Sequence, residues 1–377
     1  MIHLVLALAA ALDPVRSPPE WRPVAELIER AVARRVFPGA VVVVGRGDSI
    51  LYSAGFGRTD WGRSAPVPDP DRTRWDLASL TKVVATTGAV ASLVDRGRLD
   101  LDARVADLLP RFAGDGRDRI TVRMLLDHTS GLPAFAPLYR SSGGREGMVD
   151  ALFRVRPVAQ PGSVVEYSDL NAILLGLVVE AVAGTSLDRF VGQTVFGPLG
   201  MRSTDFAVAD RSWVAPSVIK DGRAVPGMVS DPNARAMGGV AGHAGLFGTG
   251  LDLARLAQAW LGRGADGGWI STGTVRRFLE PSPGARALGW ERPDPSQLDR
   301  SPYGRLATPT TFGHTGWTGT FLWFDPVRDV FLVLLTNRSL GPNGRGSFRA
   351  MRELRAQVSD LVSAAVPPRC RPVLAAC

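Results

Sequence analysis

The stretch SLTKVVATTGAVASLVD, residues 79–95, carries the strongest structural pattern in this 377-residue chain. Apolar residues follow Ser79 at almost every helical face, so the pattern predicts a helix that is apolar all round. Such a helix lies inside a protein, because every face needs a packing partner. Arg96-Gly97-Arg98 is expected to end it. We therefore predict that residues 79–95 form the central helix of the fold.

Strand patterns lie on either side of this helix, toward the two ends of the chain. Ala40–Val44 and Ile50–Ala54 are rich in strand-forming residues and flank a Gly-containing turn, which predicts a hairpin. Thr320–Phe324 and Val330–Leu335 predict a second pair of strands. The region between the two pairs is mostly helical in pattern, with Ala172–Val182 as its clearest helix.

This distribution predicts an α/β protein of the α+β type. An antiparallel sheet built from both chain ends would be covered by helices, with an all-helical region of roughly residues 98–240 inserted into it. Alternating βαβ units do not occur in the pattern, which disfavours a doubly wound parallel sheet. Residues 17–366 are interpreted as one domain and residues 367–377 as a C-terminal tail.

Helices are also expected near both ends of the domain, and two long loops are expected to be functional. Trp21–Val36 has a helical apolar stripe, and Ser347–Ala364 is amphipathic with Ser347 as a plausible N-cap. Val208–Asn233 and Glu280–Thr310 are rich in Pro and Gly. Loops of that length in a compact domain tend to form the rims of sites.

Composition and charge exclude several classes of protein. Hydrophobic residues make up 45% of the chain and charged residues 21%, the balance of a folded protein with a sizeable core. The longest apolar run, Leu4–Leu12, is far shorter than the roughly 20 residues of a membrane span, so no integral membrane segment is predicted. The net charge of +8 comes from scattered arginines rather than a basic run, so no nucleic-acid partner is predicted.

The two termini bear on location and on metal binding. Residues 1–16 resemble a short signal peptide that lacks a basic n-region, which predicts a periplasmic or secreted protein, or a cytoplasmic one if the segment is not a signal. The only cysteines, Cys370 and Cys377, lie in the tail and have no metal-ligand spacing. They could form a disulfide in an exported protein. No metal or cofactor is predicted, and no pattern indicates an oligomeric state.

Ser79 and Lys82 are the first candidate catalytic pair. Residues three apart on a helix share a face, so the Lys82 amine can reach the Ser79 hydroxyl. The start of the helix favours a developing alkoxide, and burial can lower the pKa of a lysine enough to make it a neutral base. Lys82 is also one of only two lysines, the other being Lys220. The alternative is a capping serine beside a solvated lysine.

Two further stretches carry candidate catalytic groups. PGSVVEYSDLN, residues 161–171, places Tyr167 before a helix, where a tyrosine could exchange protons with a serine. The alternative is a half-buried tyrosine in a capping turn. GHTGWTG, residues 313–319, leads into a strand, and its backbone N–H groups could stabilise an oxyanion. The alternative is an ordinary Gly-rich turn.

Together the three motifs resemble those of the serine β-lactamase and penicillin-binding-protein superfamily. The closest likeness is to the class C-like branch, which includes β-lactamase-related esterases and DD-peptidases. The resemblance covers roughly residues 24–362. It includes four other stretches that are typical of the branch: LDHTSGLP (126–133), FGPLGM (196–201), GVAGHAGLF (239–247) and LTNR (335–338).

The resemblance implies a fold and a set of roles. The family fold is an antiparallel sheet from both chain ends with a helical insertion, and the site lies between them. Ser79 would be the acylated nucleophile, Lys82 its proton partner and Tyr167 the second general base. The backbone N–H groups of Ser79 and Trp317 would form the oxyanion hole. The substrate-binding residues would be Asp169, His314, Thr315, Gly316 and Trp317.

Two positions depart from the family pattern. Asp169 stands where the family usually has Asn, and an ionised carboxylate accepts hydrogen bonds but donates none. His314 stands where the family often has Lys, and it would attract a substrate carboxylate only when protonated, below about pH 6.5 if unperturbed. Efficient β-lactam hydrolysis is therefore less strongly implied than acyl-serine chemistry. Of the remaining histidines, His128 is expected to be structural, and His243 either packs or contacts substrate.

We therefore predict a serine hydrolase that forms a covalent acyl-enzyme on Ser79. Its substrate would be a small molecule or a peptidoglycan-like compound: a β-lactam, a D-Ala-D-Ala-type peptide or a short-chain ester. The alternative is a penicillin- or peptidoglycan-recognising protein that is acylated but turns over little, because the changes at Asp169 and His314 could impair deacylation.

Overall fold

The computed structural model describes residues 17–262, 269–342 and 346–368. The predicted signal peptide and the two cysteines lie outside these residues. Ten strands occur in the described parts of the chain: β1 Gly39–Arg46, β2 Ser49–Gly57, β3 Arg74–Asp76, β4 Val214–Ala215, β5 Ile219–Lys220, β6 Arg223–Ala224, β7 Phe247–Gly248, β8 Phe312–Thr315, β9 Phe321–Asp325 and β10 Val330–Thr336.

The same residues form eleven α-helices, which lie mainly between β2 and β8. They are α1 Arg22–Ala33, α2 Thr87–Asp95, α3 Val105–Leu108, α4 Val122–Leu126, α5 Gly144–Phe153, α6 Asp169–Ala183, α7 Leu187–Val191, α8 Pro232–Ala236, α9 Gly250–Trp260, α10 Thr272–Leu279 and α11 Phe348–Ala365. The predicted terminal helices correspond to α1 and α11, and the Ser347 side chain caps α11 by accepting the Ala350 N–H.

The main sheet joins the two ends of the chain, as the strand pattern predicted. Its order is β2-β1-β10-β9-β8, and each neighbouring pair is antiparallel. The central contact is β1 with β10, in a register that pairs Ala40 with Thr336 and Arg46 with Val330. The edge strand β8 was not predicted. Its sequence, FGHT, is short and has little strand-forming pattern, and it overlaps the Gly-rich motif of residues 313–319.

Helices cover both faces of this sheet, so its central strands are apolar at successive positions. Val42 and Val44 pack in one apolar cluster with α1 and α11. Val41 and Val43 face the other way and join a larger cluster with the central helix and α6. Complete burial of one such side chain contributes about 1.5–3 kcal/mol. The central helix and α6, which lie between the two pairs of strands in the sequence, therefore share one apolar core with the sheet.

The central helix differs in detail from the predicted one. Its first turn is tight, with the Lys82 N–H donating to the Ser79 carbonyl. Lys82–Thr86 then forms a π-helical turn, which continues into α2. π-Helical turns are rare in proteins, and many of those that do occur lie at functional sites. Among the described residues no single helix has the length and apolarity to cross a membrane, although the bent pair Asp169–Ala183 and Leu187–Phe196 meets those criteria together.

Candidate active site

A cavity of about 630 Å³ opens at the start of the central helix. Seven of the eight predicted site residues line it: Ser79, Tyr167, Asp169, His314, Thr315, Gly316 and Trp317. Lys82 lies beneath this lining and is only 4% exposed. The two long loops also reach the cavity, through residues such as Asp231 and Arg286. The structure thus brings together three motifs that are far apart in the sequence.

Ser79 is presented by a strained turn at the end of β3. Ala78 has a φ of +47°, a left-handed conformation that is uncommon for a residue with a side chain. The buried carboxylate of Asp76 accepts the Ala78 N–H at 2.9 Å and stabilises this turn. Its other oxygen accepts from the Ser217 hydroxyl and the Ser230 N–H, at 2.9 and 2.7 Å. Strain of this kind persists only where surrounding contacts hold it.

Lys82 makes three polar contacts at the base of the cavity. Its ammonium donates to the Ser79 hydroxyl at 3.0 Å and to the His243 carbonyl at 3.1 Å. It also lies 2.7 Å from a carboxylate oxygen of Asp169. The predicted approach of Lys82 to Ser79 is therefore present, and Asp169 is a partner of Lys82 as well as part of the cavity wall.

Burial does not make Lys82 a neutral base, the possibility that the sequence left open. Burial alone would lower its pKa, because a low-dielectric site disfavours the charged form. The neighbouring Asp169 carboxylate and the Tyr167 hydroxyl outweigh that effect, so the pKa of Lys82 lies above its ordinary value. Lys82 is therefore a fixed positive charge beneath the nucleophile at neutral pH.

Tyr167 lies in the cavity lining beside Ser79 and near the Lys82 ammonium. Its hydroxyl lies near Ser79 and Lys82, both of which act to lower its pKa. The Lys82 ammonium is also 5.1 Å from the centre of the Tyr167 ring. Burial raises the pKa of Tyr167, and the Asp169 charge adds to the rise, while Lys82 opposes it. The phenol is accordingly protonated at neutral pH, and its phenolate is the minor form.

His128 holds Tyr167 in place, in agreement with the expected structural role. The rings of the two residues lie 4.8 Å apart. The His128 Nδ1 accepts the Ser168 N–H at 3.1 Å, and the His128 carbonyl accepts the Glu166 N–H at 2.9 Å. Burial lowers the pKa of His128 well below its ordinary range, so this ring nitrogen remains an acceptor. His128 thus fixes the residues on both sides of Tyr167.

The turn after β8 is anchored against the segment that precedes Ser79. The Thr318 hydroxyl donates to the Asp76 carbonyl at 2.7 Å, and the Thr320 hydroxyl donates to the Leu77 carbonyl at 3.0 Å. Glycine is required at 316, because a Cβ there would lie 2.0 Å from the Thr320 hydroxyl oxygen. These contacts place the turn beside Ser79.

Two backbone N–H groups of this region are available to an oxyanion. Neither the Ser79 N–H nor the Trp317 N–H donates to a backbone carbonyl or a side chain within the described ranges. Both residues line the cavity. The arrangement is therefore suited to stabilise negative charge that develops on a carbonyl oxygen attacked by Ser79.

Buried Arg355 orients the peptide between Gly316 and Trp317. Its guanidinium donates to the Gly316 carbonyl and to the Thr320 carbonyl, each at 2.9 Å. A trans peptide points its N–H opposite to its carbonyl, so holding the Gly316 carbonyl directs the Trp317 N–H the other way. A second guanidinium, that of Arg338, donates to the Trp317 carbonyl at 2.9 Å. Neither arginine was among the predicted site residues.

His314 does not supply a positive charge near neutral pH, contrary to the possibility left open from the sequence. It is 1% exposed, and burial is the main cause that lowers its pKa to about 4, although Glu291 opposes the shift. Its Nδ1 lies 2.8 Å from the Thr315 carbonyl, an acceptor, so the neutral ring carries its proton on Nδ1. His314 is therefore a neutral wall of the cavity.

The cavity obtains its accessible positive charge from Arg286 instead. This residue lies in the predicted loop 280–310, and its guanidinium is 5.5 Å from the Tyr167 ring centre. Glu291 lies 3.5 Å from Arg286 and 3.9 Å from His314. The long loop was a signal for this part of the site, but nothing in the local sequence distinguished Arg286 from the many other arginines. No cluster of metal-ligating side chains was found among the described residues.

Comparisons with known proteins identify the family of this chain. The family model described as Beta-lactamase matches residues 24–356, so the chain belongs to the beta-lactamase family, within the serine β-lactamase and penicillin-binding-protein superfamily. An Escherichia coli (strain K12) protein named "Putative D-alanyl-D-alanine carboxypeptidase" is 32% identical over 365 residues, which are 84% of this chain and 82% of that protein. A Salmonella typhi protein of the same name is 33% identical, over 74% of this chain and 72% of its own.

Solved structures show the same fold. EstCE1, a hydrolase with promiscuous acyltransferase activity, superposes with a TM-score of 0.75 at 24% identity, over 91% of this chain and 98% of its own. A class C β-lactamase from Rhodobacter sphaeroides gives 0.72 at 24% identity, over 91% and 99%. A penicillin-binding-protein homologue from Caulobacter crescentus gives 0.72 at 24% identity, over 92% and 98%. The predicted β-lactamase/transpeptidase fold is therefore confirmed.

Proposed function

We propose that this hydrolase of the beta-lactamase family is a D-alanyl-D-alanine carboxypeptidase that works through an acyl-enzyme on Ser79. The observation that carries the proposal is the contact of the Ser79 hydroxyl with Lys82 at 3.0 Å, beside two available backbone N–H groups. The relatives named above support the choice of substrate.

The reactive form in this mechanism has Tyr167 as phenolate and Lys82 as ammonium. Tyr167 takes the Ser79 proton while the serine oxygen bonds to the carbonyl carbon of the penultimate D-alanine. The N–H groups of Ser79 and Trp317 stabilise the resulting oxyanion. Tyr167 passes the proton to the leaving nitrogen as the C–N bond breaks. Water then attacks the ester with Tyr167 as base, and the proton returns to Ser79.

Arg286 gives the cavity a group that can recognise the C-terminal carboxylate of such a peptide. A carboxypeptidase requires this recognition, and neutral His314 cannot supply a charge for it. The planar guanidinium binds carboxylates in a two-point geometry. Glu291 lies 3.5 Å from Arg286 and limits the directions in which the guanidinium can point.

The test compares two peptides that differ only at the C-terminus, an N-acylated D-Ala-D-Ala acid and its C-terminal amide. We expect release of D-alanine from the acid, with kcat/KM at least about tenfold above that for cleavage of the amide. Arg286→Gln should reduce this preference. Arg300→Gln, an exposed arginine on the same loop outside the cavity, is the matched control and should preserve it.

Two results would contradict the proposal. One is the absence of D-alanine release under conditions in which Ser79 still reacts with an ester. The other is an equal rate for the acid and the amide in the wild-type protein, which would remove the carboxylate-recognition role of Arg286 and favour an esterase or amidase without carboxypeptidase specificity.

A further inference from the structure

The cavity contains a carboxylate that the acyl-transfer machinery does not use. Asp231 lies in the loop 208–233, lines the same cavity as Ser79, and its side chain is 21% exposed. The other two carboxylates of the lining have cationic partners: Asp169 pairs with Lys82, and Glu291 pairs with Arg286. Asp231 has no lysine or arginine partner among the described residues.

Two hydrogen bonds to the same carboxylate oxygen hold the Asp231 side chain in place. A single oxygen, Oδ1, accepts from His243 Nε2 at 2.8 Å and from the Ala234 N–H at 2.7 Å. His243 is 1% exposed and is fixed in turn, because its carbonyl accepts from Lys82. No described group donates to the second oxygen, Oδ2, of Asp231.

Asp231 is ionised at neutral pH. Burial raises the pKa of its carboxyl, but the contacts with His243 and the Ala234 N–H outweigh burial and leave the pKa below its ordinary value. A rigid, charged carboxylate with one unused oxygen in a cavity is suited to accept hydrogen bonds from an ammonium group, a charge-assisted interaction stronger than a neutral one.

We propose that Asp231 forms an ammonium-binding subsite, so that the preferred substrates carry a free amine on their acyl part. This inference rests on the proposed carboxypeptidase function. A C-terminal D-alanine has no free amine while it is in peptide linkage, so the ammonium belongs to the acyl part of the peptide. His243 acts as a positioning residue for Asp231 and does not contact the substrate.

The structure provides a conservative variant for the test. Asp231→Asn keeps an oxygen that can accept from His243 and from the Ala234 N–H, and Asn caps a helix as well as Asp does. The negative charge is lost, and an NH2 donor replaces the second oxygen that would accept from an ammonium. Asp210→Asn is the matched control, because Asp210 is exposed on the same loop and its carboxylate also accepts a backbone N–H, that of Ser212, at 2.9 Å.

The experiment uses D-Ala-D-Ala peptides with a lysine side chain before the scissile dipeptide, as the free ε-amine and as the Nε-acetyl form. A second arm of the experiment compares the dipeptide D-Ala-D-Ala with its N-acetyl form. Comparison of the two arms shows whether the subsite binds an α-ammonium or a side-chain ammonium. We expect the free amine to be preferred about 10- to 100-fold in kcat/KM in at least one arm. Asp231→Asn should abolish that preference, and Asp210→Asn should retain it.

A second pair of probes separates this inference from the carboxypeptidase proposal. Aminobenzylpenicillin and benzylpenicillin differ by one amino group, and acylation of Ser79 by each is followed by intact mass. Faster acylation by the amine in wild type but not in Asp231→Asn would support the subsite even if no peptide were cleaved. Equal rates for the amine and its neutral partner in every pair would overturn the ammonium subsite. A preference for the amine that is unchanged in Asp231→Asn would overturn it as well. Neither result would contradict the carboxypeptidase proposal, which depends on release of D-alanine.

Discussion

The carboxylate of Asp169 lies 2.7 Å from the ammonium of Lys82, directly beneath the candidate nucleophile. The resemblance stated from the sequence leads us to expect Asn at this position, so Asp169 adds a negative charge beside the candidate catalytic groups. That charge raises the pKa of Lys82 and contributes to the raised pKa of Tyr167. It therefore stabilises the protonated forms of both groups and makes the reactive phenolate harder to form.

Replacing Asp169 with Asn should move the pH profile of the enzyme to lower pH. The reactive form requires deprotonated Tyr167, so kcat/KM for wild type should increase with pH toward the alkaline range. Asp169→Asn removes the carboxylate and should shift this rising limb to lower pH, with a higher rate at neutral pH. The measurement is kcat/KM against pH for both proteins, with circular dichroism to establish that each remains folded over the range. An unshifted limb, or one shifted upward, would contradict the role given to Asp169.

Tyr167→Phe should lose most of the activity while retaining the fold. The phenyl ring keeps the packing against His128, but the group that exchanges the proton with Ser79 is absent. A positioned acid or base contributes about 10²–10⁴-fold, and a loss in that range is expected in kcat. The test is steady-state turnover with a p-nitrophenyl ester. An unchanged rate would assign the proton transfer to a group other than Tyr167.

Arg355 should affect turnover more than substrate binding. It holds the Gly316 carbonyl at 2.9 Å and thereby directs the Trp317 N–H. One oxyanion donor contributes about 10²–10³-fold to kcat, and Arg355→Lys should lower kcat about 10- to 100-fold with little change in KM. Arg352→Lys, exposed one turn earlier on α11, is the control. A change in KM alone would mean that Arg355 binds substrate and does not position the donor.

Because His314 is buried in its neutral form, the free energy of unfolding should fall as the pH falls from about 6.5 to about 4. In that window the unfolded state binds a proton at this residue and the folded state does not, because the folded pKa is about 4. The free energy of unfolding rises with pH wherever the unfolded state binds more protons than the folded state. Acidification therefore lowers the free energy of unfolding, by about 1.4 kcal/mol per pH unit at most for this residue.

Urea unfolding across this range, compared between wild type and His314→Gln, isolates the contribution of His314 from that of the other titrating groups. The variant should show the smaller fall in the free energy of unfolding on acidification. Identical pH dependence in the two proteins would contradict the assignment of a neutral, buried His314.

Short sequence motifs singled out Ser79, Lys82 and Tyr167, and the structure brings these three residues together at one cavity, while their catalytic roles stay predictions. The paired strands at the chain ends and the central helix were also predictable from apolar patterning. Arg355 was not, because it is 39 residues from Gly316 in sequence and meets it only through the packing of α11 on the sheet.

The electrostatic state of the site was the other part that sequence could not specify. The sequence left open whether Lys82 is buried and neutral or solvated; it is buried, and the Asp169 carboxylate 2.7 Å away helps to raise its pKa despite desolvation. The neutral state of His314 likewise depends on burial that no local pattern reveals. Asp231 and Arg286 were similarly hidden in loops whose role was predicted but whose individual residues were not.

The most direct test of the account is intact-mass analysis of the protein with benzylpenicillin, combined with turnover of a D-Ala-D-Ala peptide, for wild type and Ser79→Ala. We predict a one-to-one covalent adduct on Ser79 and multiple turnovers of the peptide in wild type, with both absent from the folded variant. A stable adduct without turnover would instead indicate a recognition protein. An adduct or turnover that survives in Ser79→Ala would contradict the assignment of Ser79 as the nucleophile.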